Sequence, residues 1–354
     1  METIRDWFRR HFSNPQVVGL ALVLLAGFVV VVLFGNMLAP VLASVVFAYL
    51  LESPVAALER RGVHRTLAVT AVSLVFLLVL LFTLLGILPA VSAQLTQLID
   101  EIPDMVARGH NTLMGLPKRY PEFVTADQVD QLILALRSEA GRLGQHVLSI
   151  SVQSLVGLIT ALVYLVLVPL LVFFFLKDKT QLIDWLSRHL PRDRALSARV
   201  WLDMNRQIGN YVRGKVWEIF IVGAATYVTF TFMGLHYSAL LATLVGLSVI
   251  IPYVGATVVT IPVALIAYFQ WGWSAPFAWL VIAYLVIQAL DGNVLVPLLF
   301  SEVTNLHPIA IIVAVLFFGG LWGLWGVFFA IPLATLVQAI IKAWPHAQES
   351  QGEP

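Results

Sequence analysis

Long apolar runs separated by short charged connections set the pattern of this chain. No Asp, Glu, Lys or Arg occurs from His11 to Leu51, from Thr66 to Ile99, from Leu143 to Leu176, from Ile219 to Leu290 or from Val303 to Ile341. A helix needs about 20 mainly apolar residues to cross about 30 Å of hydrocarbon, so these runs read as membrane spans. Cutting them at turn residues gives eight: 17–34, 37–57, 66–91, 148–176, 215–233, 238–270, 275–296 and 308–341. Gly35, Asn36 and Pro40 mark the expected turn between the first two. The predicted fold is all-α, a polytopic integral membrane protein forming a single membrane domain over 1–354.

Two of the runs are too long for one untilted crossing and are interrupted by helix-breaking residues. The first holds Pro252, Gly255 and Pro262; the second holds Gly319, Gly320, Gly323 and Gly326, then Pro332. Each ends on a similar phrase, Ile261-Pro262-Val263-Ala264 and Ile331-Pro332-Leu333-Ala334, which makes a weak two-unit repeat. A break at membrane depth frees backbone groups that lipid cannot satisfy, so it persists only where it is buried in protein or lines a wet cavity. Paired interrupted segments point to a transport site. Helix contact through small residues is the plainer explanation of the glycines, and each segment has the alternative of folding back as a re-entrant hairpin of two half-helices.

The connections carry the remaining pattern. In the outer one, residues 92–147, Val129, Leu132, Ile133, Leu136, Ala140 and Leu143 recur at helical spacing after Thr125, a candidate N-cap. This predicts a long helix that rises out of the bilayer and runs into the fourth span. The inner one, residues 177–214, shows Leu182, Ile183, Leu186 and Leu190, a break at Pro191, then Leu196, Val200, Met204, Ile208 and Tyr211. It reads as basic amphipathic helices packed at the membrane surface.

Composition agrees with a lipid setting: 60% of residues are hydrophobic and 12% charged, against roughly 25% charged in a soluble domain. Loop charge sets the orientation, because cytoplasmic connections carry the excess of Lys and Arg. Arg60, Arg61 and Arg65 follow the second span, and Lys177, Lys179, Arg188, Arg192, Arg194, Arg199, Arg206, Arg213 and Lys215 follow the fourth. The connection between the third and fourth spans is slightly acidic, which places it outside the cytoplasmic (inner) membrane with both termini in the cytoplasm. The start of the chain, with Arg5, Arg9 and Arg10 before an apolar run, has the look of a secretory signal; the run continues uncharged to Leu51 and reads as a retained first span.

Candidate chemistry is sparse. Ionisable groups in hydrocarbon are costly and tend to be functional. Asp291 lies near the end of the seventh span, with Gln288 three residues earlier on the same helical face and Asn293 just beyond. Asp291 is thus a candidate for ion coupling, able with Gln288 to meet a cation, a proton or a polyol. Glu218 is a second such candidate, although Arg213 and Lys215 are close enough in sequence to make it half of a structural ion pair. The candidate substrate pathway is therefore Pro252, Gly255, Gln288, Asp291, Asn293, Gly319, Gly320 and Gly323. The absence of cysteine excludes disulfides, thiolate metal sites and thiol nucleophiles. No phosphate-binding loop, His-Glu-x-x-His zinc site or Gly-x-Ser-x-Gly elbow occurs. No enzyme activity, catalytic residue, metal or other cofactor is expected, and a net charge of +1 gives no ground for a nucleic-acid partner.

The string Gln288 to Pro297, with Leu306-His307-Pro308, Phe318-Gly319-Gly320-Leu321-Trp322-Gly323 and Ala330-Ile331-Pro332-Leu333-Ala334, resembles the autoinducer-2 exporter (AI-2E) family and within it a permease branch. Tyr211-Val212-Arg213-Gly214 and Ile251-Pro252-Tyr253-Val254-Gly255 are also similar to that family's pattern, while Lys215 departs from the Gln that many members carry there. The resemblance implies an eight-span fold, a homo-oligomer, pentameric, and export of a small polar solute or exchange of sodium for protons. The expected partners are membrane lipids, the small-molecule or cation substrate and further copies of the chain. The alternatives are a membrane scaffold that recruits partners through its connections, and a gated channel.

Overall fold

In a computed structural model of the protein, the described residues are 15–114, 125, 127–131, 133–135, 137–138, 141–142, 154–188, 195–252, 254–300 and 306–343. Every extended regular element among them is helical: α1 (Pro15–Arg60), α2 (Arg65–Phe82), α3 (Leu88–Leu113), α4 (Ser154–Lys177), α5 (Lys179–Arg188), α6 (Ala195–Phe232), α7 (Ser238–Ser248), α8 (Val254–Trp271), α9 (Ala275–Leu290), α10 (Val296–Phe300) and α11 (Pro308–Ala343). Short π-helical turns, Thr83–Ile87 and Asp291–Leu295, join α2 to α3 and α9 to α10. Four of the described stretches are long and apolar enough to cross a bilayer, or five if the bent pair formed by α4 and α5 is one span. Large apolar side chains such as Leu74, Leu78 and Phe82 on α2 and Leu85 in the π-turn after it are exposed, a surface suited to hydrocarbon. The chain is an all-α polytopic membrane protein.

Helices α1 and α2 depart from the expected span pattern. The expected turn at Gly35, Asn36 and Pro40 is absent, and α1 runs through it for 46 residues. The amide that Pro40 lacks is the only ladder bond removed there, and Pro40's carbonyl accepts from the buried Ser44 Oγ at 2.6 Å. The third span likewise does not stop near position 91: the helical stretch Arg65–His110 has 46 residues, about 69 Å at 1.5 Å per residue, more than twice the hydrocarbon thickness. The helix that emerges from the apolar layer among the described residues is therefore α3. Thr125 does form a capping box with Gln128, each backbone amide donating to the other's side-chain oxygen at 3.0 and 3.4 Å. The expected continuation of that helix into the fourth span lies outside the described residues, as does the break at Pro191. The second half of the inner connection is the start of α6, which runs unbroken into the fifth span.

Both interrupted runs fold back on themselves. In the first, α7 and α8 flank a break that begins at Val249. The ends furthest from the break are tied together by Gln270, which accepts from the His236 amide and donates to the Gly234 carbonyl, each at 2.8 Å. At the tip, a Cβ added to Gly255 would lie 1.8 Å from the Ser248 carbonyl oxygen. In the second, Gly323 adopts φ 58°, ψ −135° in the middle of α11, a conformation essentially restricted to glycine. The chain reverses there: a Cβ on Gly326 would lie 1.8 Å from the Phe318 oxygen, and Phe318 buries against Ala330. Both hairpins thus share a glycine against the opposing carbonyl and an Ile-Pro-x-Ala phrase in the returning limb.

Three apolar clusters hold the described bundle. One joins α1, α2 and α4 through Val55, Val69, Val172 and Leu176. A second joins α6 to the first hairpin and α9 through Val222, Phe230, Leu241, Val245, Ile266, Leu280 and Tyr284. The third joins α1, α6 and the second hairpin through Val46, Tyr211, Ile250, Ile311, Phe328 and Ile331. Gly246 of α7 packs against α6 so closely that an added Cβ would lie 3.0 Å from both Gly223 Cα and the Ile219 oxygen. At the other end, Arg65 pairs with Glu59 at 3.2 Å and Glu52 at 3.7 Å, and donates to the Leu176 carbonyl at 2.6 Å, where α4 ends and the chain bends by 78° into α5.

Gly255→Ala and Gly326→Ala each force a methyl group into a backbone carbonyl. Each is expected to cost about 3 kcal/mol or more, read as a lowered Tm of the purified protein in detergent. Gly320→Ala, where nothing lies within 4 Å of the added Cβ, is expected to leave Tm unchanged or slightly raised.

Candidate functional site

Lys215 and Glu218 lie three residues apart on α6 and share one helical face. Tyr211 and Val212 one turn before and Val222 one turn after are all buried. The Lys215 ammonium donates to Glu218 Oε2 at 2.7 Å and to the Val249 carbonyl at 2.8 Å, and it sits 5.2 Å from the centroid of the Phe300 ring. The two charged side chains are only 4% and 3% exposed. Val249 follows the last residue of α7, so its carbonyl belongs to a helix end whose acceptors need outside partners. Gly214 admits Phe300: a Cβ there would lie 2.8 Å from the ring and 3.2 Å from the Leu299 oxygen. The site thus gathers α6, the tip of the first hairpin and α10.

Asp291 enters from α9. It opens the π-turn Asp291–Leu295, and its Oδ1 is buried with no hydrogen-bond partner among the described residues, as is Nε2 of Gln288 one turn earlier. The Asp291 carboxylate lies in the field of the Lys215 ammonium, and the Glu218 carboxylate in that of Asp291. One ammonium therefore holds one carboxylate in contact and lies within the electrostatic reach of a second. Tyr211 adds a buried hydroxyl without a partner among the described residues, and its ring packs on Phe300 and Phe328 with centroids 5.8 and 6.2 Å away. Phe328 brings the second hairpin to the same place.

The residues singled out from sequence distribute unevenly around this cluster. Glu218, Gln288 and Asp291 lie in or beside it, and Pro252 and Gly255 form the hairpin tip that supplies Val249. Asn293 does not join: it is exposed and its Nδ2 donates to the Ala289 carbonyl of its own helix at 2.8 Å. Gly319 presses on Val327, Gly323 makes the reversal and Gly320 is exposed, so these glycines shape the second hairpin while its aromatic limb reaches the cluster. Among the described residues Glu218 pairs with Lys215, while Arg213 donates to Asn210 at 2.6 Å.

A second polar group was not foreseen from sequence. At the end where α6 turns into α7, a cavity of about 540 Å³ is lined by Gln94, Gln97, Asp100, Glu101, His236 and Tyr237. Gln94 Oε1 accepts from the Leu240 amide at 2.9 Å, capping α7 from outside, and the Tyr237 hydroxyl donates to Glu101. Tyr237 has φ 57°, unusual for a residue other than glycine. Burial first, and then the hydrogen bond and charge of Glu101, push its phenol up to about 12. The i, i+3, i+7 spacing of Gln94, Gln97 and Glu101 on one face of α3 was the available signal.

Glu218→Gln removes the carboxylate that contacts the buried Lys215 ammonium and is expected to destabilise the protein by about 3–5 kcal/mol, seen as a fall in Tm. Tyr237 has a folded pKa of about 12 against an ordinary 10.0, so its neutral form is the one the fold favours. Its contribution is complete below pH 10 and is lost as the pH rises towards 12. The Tm difference between wild type and Tyr237→Phe is expected to shrink over that window.

The AI-2E family transporter model matches residues 20–346 of the chain. The chain is 50% identical over 351 residues to "Putative permease PerM" of Escherichia coli (strain K12), covering 99% of both proteins. It is 25% identical over 345 residues to "Putative transport protein YueF" of Bacillus subtilis (strain 168), covering 93% of this chain and 92% of that protein. It is also 26% identical over 310 residues to "Putative transport protein YrrI" of the same organism, covering 85% of each. With a match that runs through both hairpins and the buried charges on α6 and α9, the chain belongs to the AI-2E transporter family of membrane transport proteins.

Proposed function

We propose that the protein is a secondary transporter of the cytoplasmic membrane that exports a small polar solute of the autoinducer-2 type. The observation that carries this is the charge balance beside the hairpins: one ammonium against two carboxylates, with Asp291 Oδ1 and Gln288 Nε2 unpartnered. A buried donor and acceptor left open cost free energy until something polar meets them. A polyol offers hydroxyls to both at once. The two hairpins, held by backbone contacts rather than by continuous helix, are the elements suited to move around that point. The excess of Lys and Arg in the connections after the second and fourth spans supports placing those connections in the cytoplasm.

Exchange of sodium for protons is the second reading, and the same carboxylate favours it. Asp291 has no ammonium of its own, since Lys215 is held by Glu218, and a carboxylate at membrane depth is suited to bind a proton or a sodium ion alternately. Assembly as a homo-oligomer, pentameric by family resemblance, completes the proposal.

Purified protein in liposomes is expected to move a small labelled polyol or furanose down its gradient, or to exchange sodium for protons followed by an internal pH dye. Asp291→Asn is expected to reduce the rate by about tenfold or more, the equivalent of one lost contact of roughly 1.4 kcal/mol, with Tm preserved. Unchanged flux in the variant would remove Asp291 from the route.

A further inference from the structure

The surroundings of the Lys215 ammonium are those of a cation site. Three electron-rich groups from three separate elements converge on it: the Glu218 carboxylate at 2.7 Å, the Val249 carbonyl at 2.8 Å and the Phe300 ring at 5.2 Å. The carbonyl stands at the C-terminal end of α7, an 11-residue helix, whose dipole favours positive charge there. Carboxylate, carbonyl and aromatic face are all ligands that monovalent cations take. A surface ion pair at i, i+3 needs none of this; here the pair is almost wholly buried, and burial of charge persists only when every remaining donor is met.

We propose that Lys215 is the tethered occupant of a monovalent-cation site built from Glu218, Val249 and Phe300. The ammonium stands where a free sodium, potassium or ammonium ion would otherwise bind and fasten the tip of the first hairpin to α6 and α10. The site assignment is independent of the transport reading. Its consequence rests on that reading: Glu218 is closed to ion coupling, and any coupling ion uses Asp291.

The test replaces Lys215 with methionine, which keeps the length of the side chain and removes its charge. In detergent at constant ionic strength, Tm is measured in sodium, potassium or methylammonium chloride against N-methyl-D-glucamine chloride. Lys215→Met is expected to show a saturable, cation-specific rise of several degrees, whereas wild type and the double variant Lys215→Met with Glu218→Gln show none. A single variant no more responsive than wild type overturns the proposal, as does a response that survives in the double variant. Should Lys215→Met be recovered only unfolded, the proposal requires that methylammonium present throughout purification restores folded protein and that the neutral double variant folds without it. Failure of either overturns it. Because Tm is read rather than flux, a protein that binds cations in this way but moves no solute would refute the transport reading alone.

Discussion

In hydrocarbon, every backbone amide and carbonyl must find its partner within the protein, and the breaks in this fold are organised by that requirement. An uninterrupted helix meets it automatically, which is why Pro40 and Gly35 do not stop α1: a missing bond or a flexible residue is too small a perturbation to open a turn when all neighbouring groups are satisfied by staying helical. The breaks that begin at Val249 and at Gly323 are different because something else meets the freed groups. At the first tip, Gly255 lets the returning limb come against the Ser248 carbonyl and the Lys215 ammonium takes the Val249 carbonyl. At the second, Gly326 lets the chain close on Phe318. Close backbone approach is affordable only where no Cβ intervenes, so the position of glycine, more than its number, decides which apolar run bends.

Charge follows from the same requirement. Lys215 has a backbone role, satisfying a helix end, and its own positive charge must then be balanced in a medium that does not screen it. Glu218 does so from one turn away. Asp291 is left as the second carboxylate near a single ammonium, on a helix that changes register at a π-turn, a local feature that frequently marks functional positions. The unpartnered groups of Gln288 and Asp291 are the counterpart of the fully satisfied Lys215: one part of the cluster is closed by the fold and the other is open.

Much of this was legible in the sequence. Charge-free runs announce an all-α membrane protein because no water-soluble fold has the polar surface to accompany them, and the Gly-Pro clusters with their Ile-Pro-x-Ala phrases mark both hairpins. Asp291, Gln288 and Glu218 stand out because ionisable and amide groups are rare in such runs. Helix ends were less legible. The turn expected at Gly35 and the end expected at Val91 were inferred from local composition, yet α1 and the α2–α3 stretch continue because nothing opposes them. Asn293 was legible as polar but not as self-satisfied, since only geometry shows its amide bonded to Ala289. The Tyr237 cavity joins residues more than a hundred positions apart, and no local pattern reports such a meeting.

The spacing along α6 ties the two polar regions together. Lys215 and Phe232 are 17 residues apart, about 26 Å of helix, close to the thickness of the hydrocarbon layer. The Lys215 cluster and the cavity around Tyr237 therefore lie near opposite ends of one crossing, with the first hairpin beside α6 over that distance. Its tip is fastened by Lys215 and its open ends by Gln270, while its flank meets α6 through the close Gly223–Gly246 approach and the packed side chains of Val222, Phe230, Leu241 and Val245. Pinned at both ends by polar bonds and packed along its flank, the first hairpin ties the two polar regions to one helix.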